Sequence, residues 1–341
     1  MAELITVTDQ GLWCARGGFH VDPWRKVETA VITHAHGDHA RPGSKTYHAA
    51  ASSVGLLRRR LGDEARIVGH PFGERFRLGE VTVSLHPAGH VLGSAQVRVE
   101  GQMAERSEVW VVSGDYKRGA DPSCEAFELV PCDVFITEAT FALPIYRWSP
   151  VTDVVDEIEA WWASNRAERK ASVLAVYALG KAQRVLAELG RRDAPEVLVH
   201  GAIETLLDPY REAGIRLAPT RTVGPKQRGE SFEGALILAP PSAAGGAWMR
   251  RFGEASTGFA SGWMRVRGNR RRHGYDRGFV LSDHVDWPDL LQTIRETGAT
   301  KVYATHGYSD TLARYLTGTG LAAEPLATLY EGEAESDADL D

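Results

Sequence analysis

Four side chains able to ligate a metal fall within six residues, in Thr33-His34-Ala35-His36-Gly37-Asp38-His39. The short apolar run at 30–32 precedes them, so a strand would deliver the whole group to a tight loop at its end. His34 and His36 alternate along the chain and point the same way, so they can share one ion. Asp38 and His39 come around the turn and can serve a second. Imidazole and carboxylate donors with no thiolate suit zinc, and manganese or iron would also be accepted. Such a loop demands a rigid scaffold that brings further donors from a distance.

Five other short apolar runs also end in a polar residue. The run 81–85 precedes His90, 109–112 precedes Asp115, 134–136 precedes Glu138, 279–281 precedes His284, and 302–304 precedes His306. Runs of this length rich in Val, Ile and Phe read as strands, and a polar residue just past a strand end lies where a rigid scaffold can hold it for chemistry. The six endings together predict one shared rim carrying one site. His90 is then a third nitrogen donor for the first ion, Asp115 can bridge both ions with one oxygen each, and His306 can close the second. Taken singly, a histidine after a strand is more often a structural hydrogen-bonder; the dense loop is what makes these read as ligands.

The middle of the chain has a different rhythm. Residues 153–164 predict a helix with Val154, Val155, Ile158, Trp161 and Trp162 on one face and Thr152 or Asp153 as N-cap. A strand at 172–177, a turn at Gly180, a helix at 181–189, a strand at 196–199, a helix at 203–212 and a strand at 235–238 follow. Such alternation predicts a small α/β unit with a parallel sheet, inserted into the larger one. The fold class is α/β throughout. Boundaries are expected at 1–148 with 272–328 for the larger domain, 149–271 for the insertion, and 329–341 for an acidic, disordered tail.

Composition narrows the setting. With 341 residues, 43% hydrophobic and 25% charged, the chain has the make-up of a globular protein with one large or two moderate domains, and disordered or fibrous classes are excluded. No apolar run approaches the ~18 residues of a membrane span. Three cysteines (Cys14, Cys124, Cys132) without a CxxC pair, and no basic-then-apolar leader, predict reduced thiols and a cytoplasmic location. Six acids in 331–341 account for the whole formal charge of −6. Basic residues bunch at Arg58, Arg59 and Arg60, and again at Arg265, Arg267, Arg270, Arg271 and Arg272. A locally basic face on a balanced body is compatible with nucleic acid.

The ordered set HxHxDH, His90, Asp115 and His306 resembles the signature of the metallo-β-lactamase superfamily. That resemblance implies an αβ/βα sandwich with a binuclear site at the sheet edge, and Asp22 in His20-Val21-Asp22-Pro23 as an aspartate supporting the site from behind. Glu138 in Thr137-Glu138-Ala139-Thr140 and His284 in Ser282-Asp283-His284-Val285-Asp286 look like the extra motifs of the β-CASP nuclease branch, as does the long insertion before the last histidine. Ala178-Leu179-Gly180-Lys181-Ala182-Gln183 looks like that branch's strand–turn–helix, whose helix N-terminus favours phosphate. Gly11-Leu12-Trp13-Cys14, Asp22-Pro23-Trp24-Arg25, Pro240-Pro241-Ser242 and Trp248-Met249-Arg250-Arg251-Phe252 are similar to the bacterial DNA ligase-associated exonucleases. The C-terminal extension of the larger β-CASP ribonucleases is missing, which weakens an RNA-degrading reading.

The resemblance implies a binuclear-metal phosphodiesterase that hydrolyses nucleic acid, with single-stranded DNA and DNA repair favoured and a DNA ligase and helicase as functional associates. Two divalent ions, zinc above manganese, are the implied cofactors. Asp38, His284 and Glu138 are the candidate catalytic groups: Asp38 beside the ions, His284 as acid or phosphate clamp, and Glu138 orienting His284 and keeping it cationic. Lys181, Ser242, Arg265, Arg267 and Arg270 are candidate phosphate contacts, and Trp248 or Trp263 candidate base platforms. The rivals are a β-CASP ribonuclease, a hydrolase of small esters, thioesters or lactams, and a non-catalytic scaffold.

Overall fold

The computed structural model describes residues 3–103, 106–224, 231–244, 246–266 and 274–330. The chain divides into two compact units, one drawn from Met1–Arg147 and His284–Ser336, the other from Trp148–Asp283.

The first unit carries two sheets. One has six strands in the order Thr6–Thr8, Gly11–Cys14, Phe19–Val21, Thr29–Val31, Thr46–Ala50 and Ile67–His70. It runs antiparallel over the first three and parallel over the last four. The other has seven, in the order Ala322–Pro325, Lys301–Thr305, Val134–Glu138, Arg106–Val112, Ala95–Met103, Val81–Pro87 and Arg75–Leu78. Strands alternate their side chains between faces, and each sheet gives one face to a common core. Leu12, Phe19, Val21 and Val31 of the first meet Val81, Val83, Val97, Val99, Val112 and Ile136 of the second. The opposite face of the seven-stranded sheet (Val111, Phe135, Val302, Ala304) packs on the helices Trp287–Thr297 and Ser309–Gly318 through Leu290, Ile294, Leu312 and Leu316. The first of these helices is well punctuated: the Asp286 side chain accepts from Asp289 N at 3.0 Å, Pro288 lies in its first turn, and Gly298 ends it at φ 70°.

The second unit is built on a six-stranded sheet whose pairings are all parallel, ordered Thr220–Thr222, Val197–Val199, Leu236–Ala239, Ser172–Ala175, Ser256–Ala260 and Arg277–Phe279. Its central strands, Ser-Val-Leu-Ala and Leu-Ile-Leu-Ala, are buried at every residue, as a parallel sheet covered on both faces requires.

Several sequence expectations change here. The six polar-tipped runs do not share one sheet: Thr29–Val31 lies in the six-stranded sheet of the first unit and Arg277–Phe279 in that of the second, while the other four lie in the seven-stranded sheet. The run expected at 279–281 stops at Phe279, because Leu281 N folds back onto Phe279 O at 3.1 Å. The helix expected at 153–164 spans Val151–Ala167 with Pro150 at its N-cap position. The helix expected at 203–212 is two, Gly201–Glu204 and Leu207–Glu212. Pro209 has no N–H to continue the ladder to Thr205 O, and its ring would crowd that carbonyl. A tail is expected from 329. Tyr330 is half-buried against the first unit, while 331–341 lie outside the described residues.

Candidate metal centre

The His34–His39 loop leaves the strand Thr29–Val31 and is tied down before it turns. Asp22 receives Thr33 N at 2.7 Å on Oδ1 and Thr33 Oγ1 on Oδ2. Thr33 O in turn accepts from Ala95 N of the seven-stranded sheet at 2.7 Å. His39 N and Ala40 N bond back to His36 O at 3.2 and 2.8 Å, which closes the loop into a tight turn. Arg60 Nε reaches Ala35 O at 3.4 Å from outside. Asp22 itself holds φ 43° and His306 φ 35°, left-handed conformations that side-chain-bearing residues adopt at a cost of order 1–3 kcal/mol, which the surrounding structure must offset.

Two glycines let the other donors approach. Gly89 precedes His90 at φ 76°, and a Cβ there would sit 2.3 Å from Lys117 O; Gly114 precedes Asp115 at φ 55°, and a Cβ there would sit 2.6 Å from Thr33 Cβ. No other residue fits either place without displacing backbone or loop.

The donors then converge on one carboxylate. Asp115 Oδ2 lies 3.5 Å from His34 Nε2, 3.7 Å from His39 Nε2 and 3.8 Å from His90 Nε2, and Oδ1 lies 3.0 Å from His306 Nε2. His34, His36, His90 and Asp115 form one group able to hold a metal, and His39, Asp115 and His306 form another. Asp38 is buried beside them, its Oδ2 3.6 Å from His39 Nε2. These buried histidine and aspartate groups could hold a metal ion. The outer nitrogens are oriented from behind: His39 Nδ1 donates to Asp22 Oδ2 at 2.8 Å, and His34 Nδ1 and His306 Nδ1 lie 3.0 and 2.9 Å from the hydroxyls of Thr33 and Thr305. That leaves each Nε2 facing inward, the arrangement that sets a ligating tautomer. The buried Nε2 atoms of His34 and His39 have no hydrogen-bond partner among the described residues. An unsatisfied buried polar atom is costly, and a cation shared with Asp115 would remove the cost at both.

A second carboxylate–imidazole pair adjoins this group. Glu138, at the end of its strand, accepts from Tyr116 N at 2.8 Å on Oε1 and from His284 Nδ1 at 2.9 Å on Oε2. Both residues are 1% exposed, and His284 Nδ1 is 3.9 Å from Asp115 Oδ2. Asp115, Glu138 and His284 are therefore close enough to form a third group of donors, and Asp22, His34 and His39 a fourth.

Charge is divided unevenly. Burial holds His34 well below the usual imidazole range, with His39 adding to the effect, so His34 is neutral. Burial also disfavours charge on His39, but Asp38, Asp115 and Asp22 outweigh it and push that imidazole up to about 10. Burial would raise Asp115, yet His39 and His306, followed by His284 and His34, hold it well below the carboxylate range. Without a cation, His39 therefore keeps a second proton that folding favours. Its contribution to stability is complete below the unfolded value of 6.5 and is lost as pH rises through about 10. A cation on His39 Nε2 must displace that proton. Zinc uptake should accordingly release protons, with apparent affinity rising about tenfold per pH unit for each proton released, up to that same limit. Calorimetric titration in buffers of different ionisation enthalpy measures this directly. Uptake indifferent to pH would remove His39 from the donors.

The candidate phosphate contacts belong to the other unit. Lys181 is 0% exposed, with Nζ 3.2 Å from Asp283 Oδ2 and 5.1 Å from the Tyr177 ring centre. Arg184 joins the same carboxylate at 3.1 Å and donates to Ser282 O at 2.6 Å. Lys181 is thus an internal ion-pair partner rather than a solvent-facing lysine. Ser242 and Arg265 are exposed, each on a short 3-10 turn. Arg267 and Arg270 lie outside the described residues. Trp248 is half-buried and packs edge-on against His200 and Phe252 at 4.8 and 4.7 Å, at the margin of a hydrophobic cluster. Sequence reasoning missed Thr33 and Tyr330; an aromatic residue ending the apolar stretch 326–330, just before the acids, was the available signal for the second.

No protein-family model matches the chain. It is 30% identical over 316 residues to a protein of Opitutus terrae (strain DSM 11246 / JCM 15787 / PB90-1) named probable DNA ligase. The match takes in 92% of this chain but 30% of that relative, so the chain spans under a third of its length. In fold it is similar to a protein of unknown function from Enterococcus faecalis V583 whose crystal structure has been solved. The TM-score is 0.57 at 12% identity, over 89% of this chain and 80% of that one. At that identity the likeness concerns fold alone. No described helix is long and apolar enough to cross a membrane.

Proposed function

We propose that the chain is a binuclear-metal phosphodiesterase acting on nucleic acid, an exonuclease on single-stranded DNA. The observation that carries this is the single buried carboxylate of Asp115 shared by two sets of imidazoles. Sharing of this kind suits two cations held side by side, as phosphodiester hydrolysis by two metals requires. Two sheets on a common core, with donors at their strand ends, support reading the first unit as the metallo-β-lactamase domain. The parallel-sheet unit at Trp148–Asp283 is then the β-CASP insertion.

In this reading His34, His36 and His90 would hold one ion, His39 and His306 the other, with Asp115 between them and Asp38 alongside. When bound, the ions polarise a phosphate oxygen and lower the pKa of a water. The chain's own residues do the rest. Glu138 holds the His284 ring by its Nδ1–H and so aims Nε2 away from that carboxylate. A positioned imidazole can then deliver a proton to the departing oxygen or grip a phosphate oxygen. Burial of Asp115, Glu138 and His284 keeps water from competing for these bonds. Ser242 and Arg265 are the described candidates for holding the phosphate backbone; Arg267 and Arg270 complete that proposal from outside the described residues.

DNA is favoured over RNA because of the name borne by the Opitutus relative. Association with a DNA ligase or helicase is part of the same proposal, supported by the name of that relative for the ligase alone. The test is incubation with 5′- and 3′-labelled single-stranded DNA and RNA in zinc or manganese, beside nitrocefin and a thioester. Mononucleotide release from one end of the DNA, weakening steeply with salt as counterions are released, is the expected result. Cleavage of RNA alone would favour the ribonuclease, and turnover of only the small esters would overturn the nuclease.

A further inference from the structure

His39 is gripped on its face as well as at its edge, and the residue that does it lies near the end of the described chain. The ring of Tyr330 stacks on the His39 imidazole with centroids 4.6 Å apart and planes 2° from parallel. It also lies 5.1 Å from the His306 ring, and Trp24 meets it edge-on at 5.6 Å. Its hydroxyl donates to Asp22 O at 3.2 Å. Asp22 therefore holds two partners at once: its carboxylate takes the Nδ1–H of His39, and its carbonyl takes the phenol that lies over the same imidazole.

An imidazole turns about a soft, broad torsion at its last bond. One hydrogen bond at Nδ1 fixes the tautomer but leaves the ring free to rock about that bond, and rocking swings Nε2 out of line with Asp115. A flat ring laid parallel across the face removes that freedom. Resting on the metal reading above, we propose that Tyr330 is a positioning residue of the second ion site, holding His39 so that Nε2 faces Asp115 and His306.

The test uses the full chain and zinc alone, titrated against a chromophoric chelator, in wild type and in Tyr330→Ala, Tyr330→Leu and Tyr330→Phe. Wild type should take up two ions. The alanine and leucine variants should hold one ion as wild type does and the other about 10- to 100-fold more weakly, the range typical when a group orienting a ligand is lost. Leucine separates aromatic stacking from simple filling of space. Phenylalanine keeps the stack and loses only the bond to Asp22 O, so it should restore most of the affinity. Thermal unfolding of each variant checks that the fold is intact. Equal affinity for both ions in wild type and the alanine variant would overturn the assignment, as would a phenylalanine variant as weak as alanine. A wild-type chain that takes up no zinc would instead overturn the metal reading itself.

Discussion

If the chain is the two-metal nuclease proposed above, replacing Asp115 by Asn should empty the centre of metal and remove nuclease activity together. The substitution keeps size and one carbonyl oxygen but removes the charge that four inward-facing Nε2 atoms approach, from His34, His39, His90 and His306. With that charge gone, neither group of donors retains an anionic member in common. Bound zinc should fall below one ion per chain, and kcat/KM on a labelled oligonucleotide should drop at least a thousandfold, about 4 kcal/mol of transition-state stabilisation. Elemental analysis of the desalted protein and an initial-rate assay give the two numbers. Full zinc content with lost activity would mean that Asp115 acts on substrate and does not bridge. Unchanged activity would end the binuclear proposal.

The second large effect separates ligand from acid. His284→Ala should lower turnover by about a hundred- to ten-thousandfold, the range for loss of a positioned proton donor, while leaving bound metal at the wild-type level. The residue is buried, held by Glu138 at 2.9 Å, and 3.9 Å from Asp115, so geometry alone allows it either role. The metal content of the variant decides. If zinc is lost along with activity, His284 belongs to the third donor group and the acid must be sought elsewhere. Glu138→Gln, which keeps the size but removes the charge and leaves one accepting oxygen for the two N–H donors of Tyr116 and His284, should fall between wild type and His284→Ala, since it weakens the grip on the ring without removing the ring.

How much of this the sequence disclosed depended on distance along the chain. The density of donors at His34–His39 and the apolar runs ahead of His90, Asp115, Glu138 and His306 are local patterns, and strands form at each of those runs. The helix at Val151–Ala167 declared itself by an apolar stripe through Val154, Val155, Ile158, Trp161 and Trp162, all buried. Two of the misses were local competitions that pattern alone does not resolve. Pro209 broke a helix whose apolar spacing looked continuous. A backward hydrogen bond after Phe279 ended a strand that the apolar run carried further. The helix Trp287–Thr297 went unmarked although Asp286, Pro288 and Gly298 punctuate it.

Other features had no local signal. Lys181 sits at a helix N-terminus, where sequence suggests a phosphate contact, but the partner that takes its charge, Asp283, is supplied from far along the chain. Tyr330 precedes a run of acids that reads as solvated, yet its ring lies flat on an imidazole nearly three hundred residues earlier. The sequence by itself settled which residue types this protein has available for chemistry and that short strands deliver them, because side-chain identity and strand periodicity are properties of a few neighbouring residues. Only the tertiary structure decided that Tyr330 lies on His39 and that Lys181 turns inward onto Asp283. Those outcomes depend on how sheets close on a shared core and on which buried charges find a partner there.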